Sequence, residues 1–307
     1  MSTTTPKDAL TKAHALGVER LDAQWLLLHA LDRPSQDRSW LLTHDEEPLT
    51  AAQVGAYDAL LQRRVEGEPL AYLVGHQEFF GLNLQVDARV LVPRPDTETL
   101  VHWALDVLGG LATPGGGNGQ LVDLVELVNL VDLGTGSGAV ALALAHRLRQ
   151  RGQRARVLAV DASLDALQVA RANALALELR VDFLPSNWLA QVKGRHHLIV
   201  SNPPYVAAQD PHLAALHHEP LRALAAGPDG LDDLRTIIAQ APAHLVNGGW
   251  LLLEHGYDQA TAVRDLLHQA GFVQLGSRPD LAGIMRCSGG RWLGPQRGAN
   301  SEIIKTS

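Results

Sequence analysis

The chain carries a single cysteine, Cys287, so it can form neither an intramolecular disulfide nor a multi-cysteine metal site. A lone cysteine reads as small buried packing, and its isolation fits a reducing compartment. Long apolar runs are also missing. Trp25 to Leu28 is the longest near the amino terminus, far short of a membrane span, and Met1 to Leu10 contains no apolar leader. A soluble, cytoplasmic protein is expected. Basic blocks are scarce too, and the net charge is −7, unlike proteins that track a nucleic-acid backbone with a basic face. Arg147, Arg149, Arg151 and Arg154 come closest, but they follow an apolar helical pattern and complement the negative end of a helix dipole. Nucleic acid is therefore disfavoured as the principal substrate. His196-His197, His212 and His217-His218 have no carboxylate or cysteine cluster beside them. They are expected to be surface histidines near a substrate loop, and no metal is expected.

What is present suffices for about two domains, since 46% of the 307 residues are hydrophobic. Residues 1–73 read as a small helical bundle. Leu21, Trp25 and Leu28 share one helical face, with Ala30 and Leu31 near its edge, and Val54, Tyr57, Leu60 and Leu61 repeat the pattern behind a Thr50 cap. Asp32-Arg33-Pro34-Ser35 and Glu66-Gly67-Glu68-Pro69 mark the breaks. From Tyr72 the period turns to alternation, with Phe80, Leu82, Leu84 and Val86 on one face, so residues 74–92 are expected to form a β-hairpin linker. Residues 93–294 then form a second domain, and 295–307 a disordered tail. At its start, Pro93 and Pro95 hold Arg94 in an extended backbone. The arginine either presents its guanidinium in one direction or is simply solvated. Asp96 or Thr97 can cap the helix bearing Leu100, Val101, Ala104 and Leu105. Thr113 to Gly119 reads as a flexible loop, and Leu121-Val122-Asp123-Leu124 is echoed by Leu130-Val131-Asp132-Leu133.

The second copy continues from an apolar strand through Gly134-Thr135-Gly136-Ser137-Gly138 into a helix from Ala139 to Arg149. Glycines there permit a tight turn and let backbone N–H groups at the helix start approach a ligand. Val157 to Val160 is a second strand, ending in Asp161 where a nucleotide fold places the carboxylate for ribose hydroxyls. Ser163 caps a helix with Leu164, Leu167, Ala170, Ala174 and Leu175 on its apolar side. Val181 to Leu184 is a third strand, followed by Trp188, which can cover an adenine ring or belong to the core. Leu198-Ile199-Val200 is a fourth, stopped by Asn202-Pro203-Pro204-Tyr205. Beyond it lie a helix from Leu231 to Val246, a strand from Trp250 to Glu254, a helix from Thr261 to Ala270 and a closing strand region from Phe272. Strands alternating with helices require a doubly wound, mainly parallel α/β sheet.

Two prolines can neither donate to a ladder nor continue it, so the chain turns at Asn202, at the strand end where open α/β sheets hold ligands. Asn-Pro is also an ordinary strand stop. The ordered strand-end motifs resemble the class I S-adenosylmethionine-dependent methyltransferases, and Asn202 to Tyr205 resembles the signature of their amino-group methylating branch. Adding Pro69, Tyr72, Leu73, Gly75, Phe79, Gly81, Pro93 to Glu98, Glu219-Pro220, Gly227, Asp229-Gly230-Leu231, Glu254-His255-Gly256 and Asp280 to Gly283, residues 15 to 293 resemble the HemK/PrmC family.

That resemblance implies a seven-stranded Rossmann-like sheet and methyl transfer from S-adenosylmethionine to the glutamine amide of the Gly-Gly-Gln motif in class 1 peptide chain release factors. S-adenosylhomocysteine is the product, and the helical front engages the protein substrate. It implies that Gly134 to Gly138, Asp161, Trp188 and Asn202 bind the cofactor, with Asp161 on the ribose. It also implies that Asn202, Pro203, Pro204 and Tyr205 hold the amide, with Asn202, Pro203 and Tyr205 catalytic. A monomer without metal, membrane or direct nucleic-acid contact is expected. Asn187 and Met285 stand where relatives often have acidic residues, and the Gly-rich insertion is unusual. An exocyclic adenine amine has the same planar NH₂ geometry as the glutamine amide, so an adenine-N6 methyltransferase is one alternative. A non-catalytic NAD-binding module is another, because Gly134-x-Gly136 with Ala139 fits a relaxed dinucleotide pattern.

Overall fold

The computed structural model describes residues 4–112 and 127–295. The Thr113 to Gly119 loop, the first Leu-Val-Asp-Leu copy and residues 296–307 of the tail lie outside them.

The front of the chain folds into α1 (Pro6–Ala15), α2 (Arg20–Ala30), α3 (Arg38–Thr43), α4 (Ala51–Val65) and α5 (Leu70–Val74). Capping boxes at Thr5 with Asp8 and at Thr50 with Gln53 start α1 and α4, each satisfying two N–H groups that a helix start leaves orphaned. Leu26, Leu27 and Leu28 pack with Ala9, Ala13, Tyr57 and Leu61. The expected α2 face holds only at Leu28. Leu21 is 56% exposed and Trp25 half-buried, while Ala23, Leu26 and Leu27 are buried. The reason is that α2 packs against several helices at once, so its buried arc wraps wider than a single stripe.

Tyr72 lies in α5, and the hairpin starts later than the alternation suggests, with β1 (His76–Phe79) antiparallel to β2 (Leu82–Gln85). Its two turn residues, Phe80 and Gly81, have φ of +54° and +81°, as a two-residue hairpin turn requires. Phe80 tolerates this conformation because its N–H donates to Glu98 Oε1 at 3.0 Å.

A 3₁₀ turn, Pro95–Thr97, leads into α6 (Glu98–Ala112). There follow β3 (Val128–Leu133), α7 (Ala139–Gln150), β4 (Ala155–Asp161), α8 (Leu164–Ala176), β5 (Asp182–Pro185), β6 (His196–Ser201), α9 (Asp232–His244), β7 (Leu245–Glu254), α10 (Ala260–Gln269), β8 (Val273–Pro279) and β9 (Met285–Trp292). The last seven strands form one sheet in the order β5-β4-β3-β6-β7-β9-β8. It is parallel from β5 to β7, and β9 runs antiparallel to both β7 and β8. On one face of the sheet, Leu130, Leu198, Val200 and Leu252 pack against Leu100, Ala104 and Leu108 of α6 and Leu142 and Leu144 of α7. Val131, Leu133, Val160, Ile199, Leu251 and Leu253 face the other side, against α9 and α10. Helices cover both faces, which is why the central strands read as continuous apolar runs.

Other expectations are corrected by the packing. On α8, Leu164 and Leu175 are 61% and 82% exposed, and the buried face is Ala166, Leu167, Val169, Ala170, Asn173 and Ala174. Ala166 and Val169 turn toward Val86, Val90 and Val92 of the linker. The helix expected to reach Val246 ends at His244, and β7 takes over at Leu245, whose backbone is already extended. His196 is buried at the start of β6, at the opposite end of that strand from Asn202, and neither ring nitrogen has a partner. His197 accepts from the Asn129 N–H at 3.0 Å. These two are therefore sheet residues, whereas His212, His217 and His218 do lie on the segment after Tyr205. Among the described residues, no group of three or more His, Cys, Asp or Glu could hold a metal ion. No helix among them is long and apolar enough to cross a membrane.

Candidate active site

Strand register builds the site. Leu133 pairs with Val160 and with Ser201, and Asp161 pairs with Pro185. The carboxyl ends of β3 to β6 are thus level, and Gly134, Ser186 and Asn202 start their loops beside Asp161. These loops enclose a cavity of about 250 Å³ lined by Gly134, Gly136, Asp161, Trp188, Asn202 and Pro204, among others. It lies where the strand order reverses between β3 and β6, the usual ligand crevice of such a sheet. A narrower cavity of about 50 Å³ shares Gly134, Gly136 and Asn202 and adds Thr97, Thr135 and Ser137.

Gly134 and Gly136 have φ of +70° and +56°. A Cβ on Gly134 would meet the Trp188 ring at 3.2 Å, whereas one on Gly136 would meet nothing within 4 Å. Gly138 does not line either cavity. It starts α7, and a Cβ there would meet Leu142 and Ala170, so its task is close helix packing.

Asp161 accepts from the Gly136 N–H at 2.9 Å and from the Ser163 N–H at 2.8 Å, locking two cavity loops to one carboxylate. Asp132, directly behind, accepts from the Thr135 hydroxyl at 2.6 Å and the Ala141 N–H at 3.1 Å. Burial pushes its pKa up to about 7, against the pull of those two donors. Trp188 has φ +48° and donates its indole N–H to Asp233 at 3.1 Å. Its ring both walls the cavity and packs on the core.

Asn202 donates its side-chain N–H to the Thr97 hydroxyl oxygen at 3.1 Å. Pro203 and Pro204 are buried, and Pro204 lines the larger cavity. Tyr205 turns its hydroxyl toward Glu254 Oε1 at 3.5 Å and does not line the cavity. Arg94 pairs with Glu219, which also accepts from the Val92 N–H at 3.0 Å. The arginine therefore ties the linker to the segment after Tyr205 and is not simply solvated.

Sequence reasoning did not single out Asn173, Arg222 or Asp233, and gave Thr97, a member of the Pro93 to Glu98 motif, no role beyond that of a candidate helix cap. Asn173 donates to the Ser137 and Gln85 carbonyls and accepts from the Gln85 N–H. Its signal was a polar residue between Ala170 and Ala174 on a buried face. Arg222 donates to Ser163 Oγ at 2.5 Å and lines the larger cavity; nothing local marks it.

The PrmC N-terminal domain model matches residues 7–75, and the methyltransferase small domain model matches residues 120–227. A release factor glutamine methyltransferase from Xylella fastidiosa is 47% identical over 290 residues, 93% of this chain and 98% of the relative. One from Burkholderia pseudomallei is 46% identical over 308 residues, 96% of this chain and 100% of the relative. The hMettl16 catalytic domain, solved in complex with MAT2A 3'UTR hairpin 1, shares the fold at a TM-score of 0.53 and 16% identity, over 77% of this chain and 82% of that one. With such identity sustained through both the helical front and the sheet, the chain belongs to the release factor glutamine methyltransferase family.

Proposed function

We propose that the chain transfers a methyl group from S-adenosylmethionine to the side-chain amide nitrogen of the glutamine in the Gly-Gly-Gln motif of class 1 peptide chain release factors. The observation that carries this is the Asn202 carboxamide, held by Thr97 at the mouth of β6 and lining the cavity beside Gly134 and Asp161. The cavity suits the cofactor because open space faces Gly136, where any side chain would intrude. Asp161 would take the ribose hydroxyls, the Gly134 to Ser137 backbone would meet the polar end, and Trp188 would flank the adenine. When bound, S-adenosylmethionine supplies an electrophilic methyl on a sulfonium.

The chain's residues supply the rest. An amide nitrogen is a poor nucleophile because its lone pair is delocalised into the carbonyl. If Asn202 Oδ1 and the Pro203 carbonyl accept both N–H hydrogens, that pair is freed as the nitrogen becomes tetrahedral; the N–CH₃ bond would form as the S–CH₃ bond breaks, its electron pair staying on the sulfur of S-adenosylhomocysteine, and the nitrogen would then lose one of its two hydrogens to solvent as a proton. Pro203 offers a carbonyl on a backbone its ring has already fixed, and Tyr205 flanks the carboxamide. Alignment of this kind is worth about 7–11 kcal/mol. The helical front, residues 1–73, engages the protein substrate in the cytoplasm, a reading supported by the match to the PrmC N-terminal domain.

The test is incubation with S-adenosylmethionine and either release factor or DNA, followed by mass spectrometry. One added methyl on the Gly-Gly-Gln glutamine is expected, and transfer to adenine alone would overturn the assignment. Asn202→Ala should lower kcat by about 10²- to 10³-fold with a much smaller change in cofactor affinity by isothermal titration.

A further inference from the structure

Strand β6 divides the carboxyl edge of the sheet. It delivers Asn202, and the strands on one side of it, β3 to β5, deliver the cofactor cavity. On its other side lie β7 and β9. Ser201 pairs with Leu253, and Glu254 pairs with Cys287, so the turn after β7 and the loop entering β9 stand level with the Asn202 to Tyr205 turn. The His255 N–H donates to the Arg286 carbonyl at 2.9 Å, which keeps the two segments side by side.

These segments expose large apolar side chains. Leu281 is fully exposed, and Tyr257, Met285 and Ile284 are 71%, 41% and 38% exposed. One exposed leucine needs no explanation, but several on adjoining loops mark an interaction surface. The segments are also pinned. Asp280 accepts from the Ala282 and Ile284 N–H groups at 2.8 and 3.0 Å and from Arg286 Nε at 3.0 Å, closing the loop on itself. Arg286 reaches on to Asp96 at 3.2 Å, beside the Thr97 that holds Asn202. Gln259 accepts from the Gly256 N–H at 2.8 Å and donates to the Tyr205 carbonyl at 3.0 Å, fastening the turn that bears Tyr257.

We propose that Tyr257, Leu281, Ile284 and Met285 form an apolar lip that seats the release factor surface surrounding its Gly-Gly-Gln loop. Two arguments choose this occupant. The lip flanks Asn202 on the side away from the cofactor, so a protein whose glutamine reaches Asn202 covers it. The two glycines before that glutamine offer no side chain to recognise, so affinity must come from surface outside the motif. An apolar lip calls for an apolar patch there, and loops already pinned lose little freedom on binding. This inference rests on the release factor reading given above.

The test uses the full chain with whole release factor and the variants Leu281→Asp, Met285→Glu and their combination. KM for release factor should rise about tenfold in Leu281→Asp and further in the double variant, as when a buried apolar contact is replaced by a charge. Binding of release factor to enzyme loaded with S-adenosylhomocysteine, followed by isothermal titration, should weaken by the same factor. The saturating kcat, the S-adenosylmethionine affinity and the thermal midpoint should stay at wild-type values, because the lip touches neither cofactor nor core. Leu281→Met should keep the wild-type KM, and so should Leu175→Asp, which alters an exposed leucine at the far end of α8. An unchanged KM and affinity in the double variant would overturn the inference. So would a wild type that sediments as a dimer and is dissociated by Leu281→Asp, since a second copy would then cover the lip. A wild type that neither binds nor methylates release factor would instead sink the underlying reading, and the lip with it.

Discussion

At the scale of single residues, two glycines with similar backbones should respond to alanine in opposite ways. Gly230 has φ +74°, and a Cβ there would fall 2.2 Å from the Tyr205 carbonyl. Gly230→Ala should cost about 1–3 kcal/mol from the backbone alone, more with the clash, visible as a lower urea midpoint. Gly136→Ala meets open space, so its stability loss should stay near about 1 kcal/mol while cofactor affinity drops sharply. The glycine loop, Asp161 and Asn202 to Tyr205 were legible because each motif is contiguous. The contact between Asn202 and Thr97 was not, because its two members come from distant stretches and only the fold brings them together.

At the scale of elements, Asn173 joins three pieces: α8, β2 and the loop before α7. Asn173→Ala removes three hydrogen bonds, each worth about 0.5–1.5 kcal/mol net, so chemical denaturation should show a loss of about 2–4 kcal/mol. Thermal unfolding of Asn173→Ala with and without cofactor should also show weaker protection, since the Ser137 carbonyl loses its tether. Strands and their ends were readable from apolar runs and turn residues. Helix faces were less so: Leu164 and Leu175 fit a helical stripe, yet α8 buries small residues because the linker and α7 approach it closely. Periodicity reports one face, and a helix touched on several sides needs more than one.

At the scale of the whole molecule, pH acts on stability through buried groups of opposite sign. Burial lowers the His196 pKa to about 4. The unfolded chain binds that proton near its ordinary value of about 6.5, so stability is lost as pH falls between the two. Asp132 and Glu254, raised to about 7, act oppositely: their contribution is present at low pH and lost as pH rises through about 7. The wild type should therefore show a shallow profile. His196→Leu removes one side of the balance, and its stability relative to the wild type should grow by about 2 kcal/mol between pH 7 and pH 5, measured by urea unfolding at both.

The placement of β3 between β4 and β6 has a consequence for synthesis. Leu133 waits for Ser201, 68 residues on, before its strand end is complete, and Trp188 waits for Asp233. The capped front helices are local and can form as they leave the ribosome, whereas the cavity depends on pairings that close late. Vectorial translation thus delivers the front before the chemistry, and a chain broken off within β6 would carry a folded front with no site behind it.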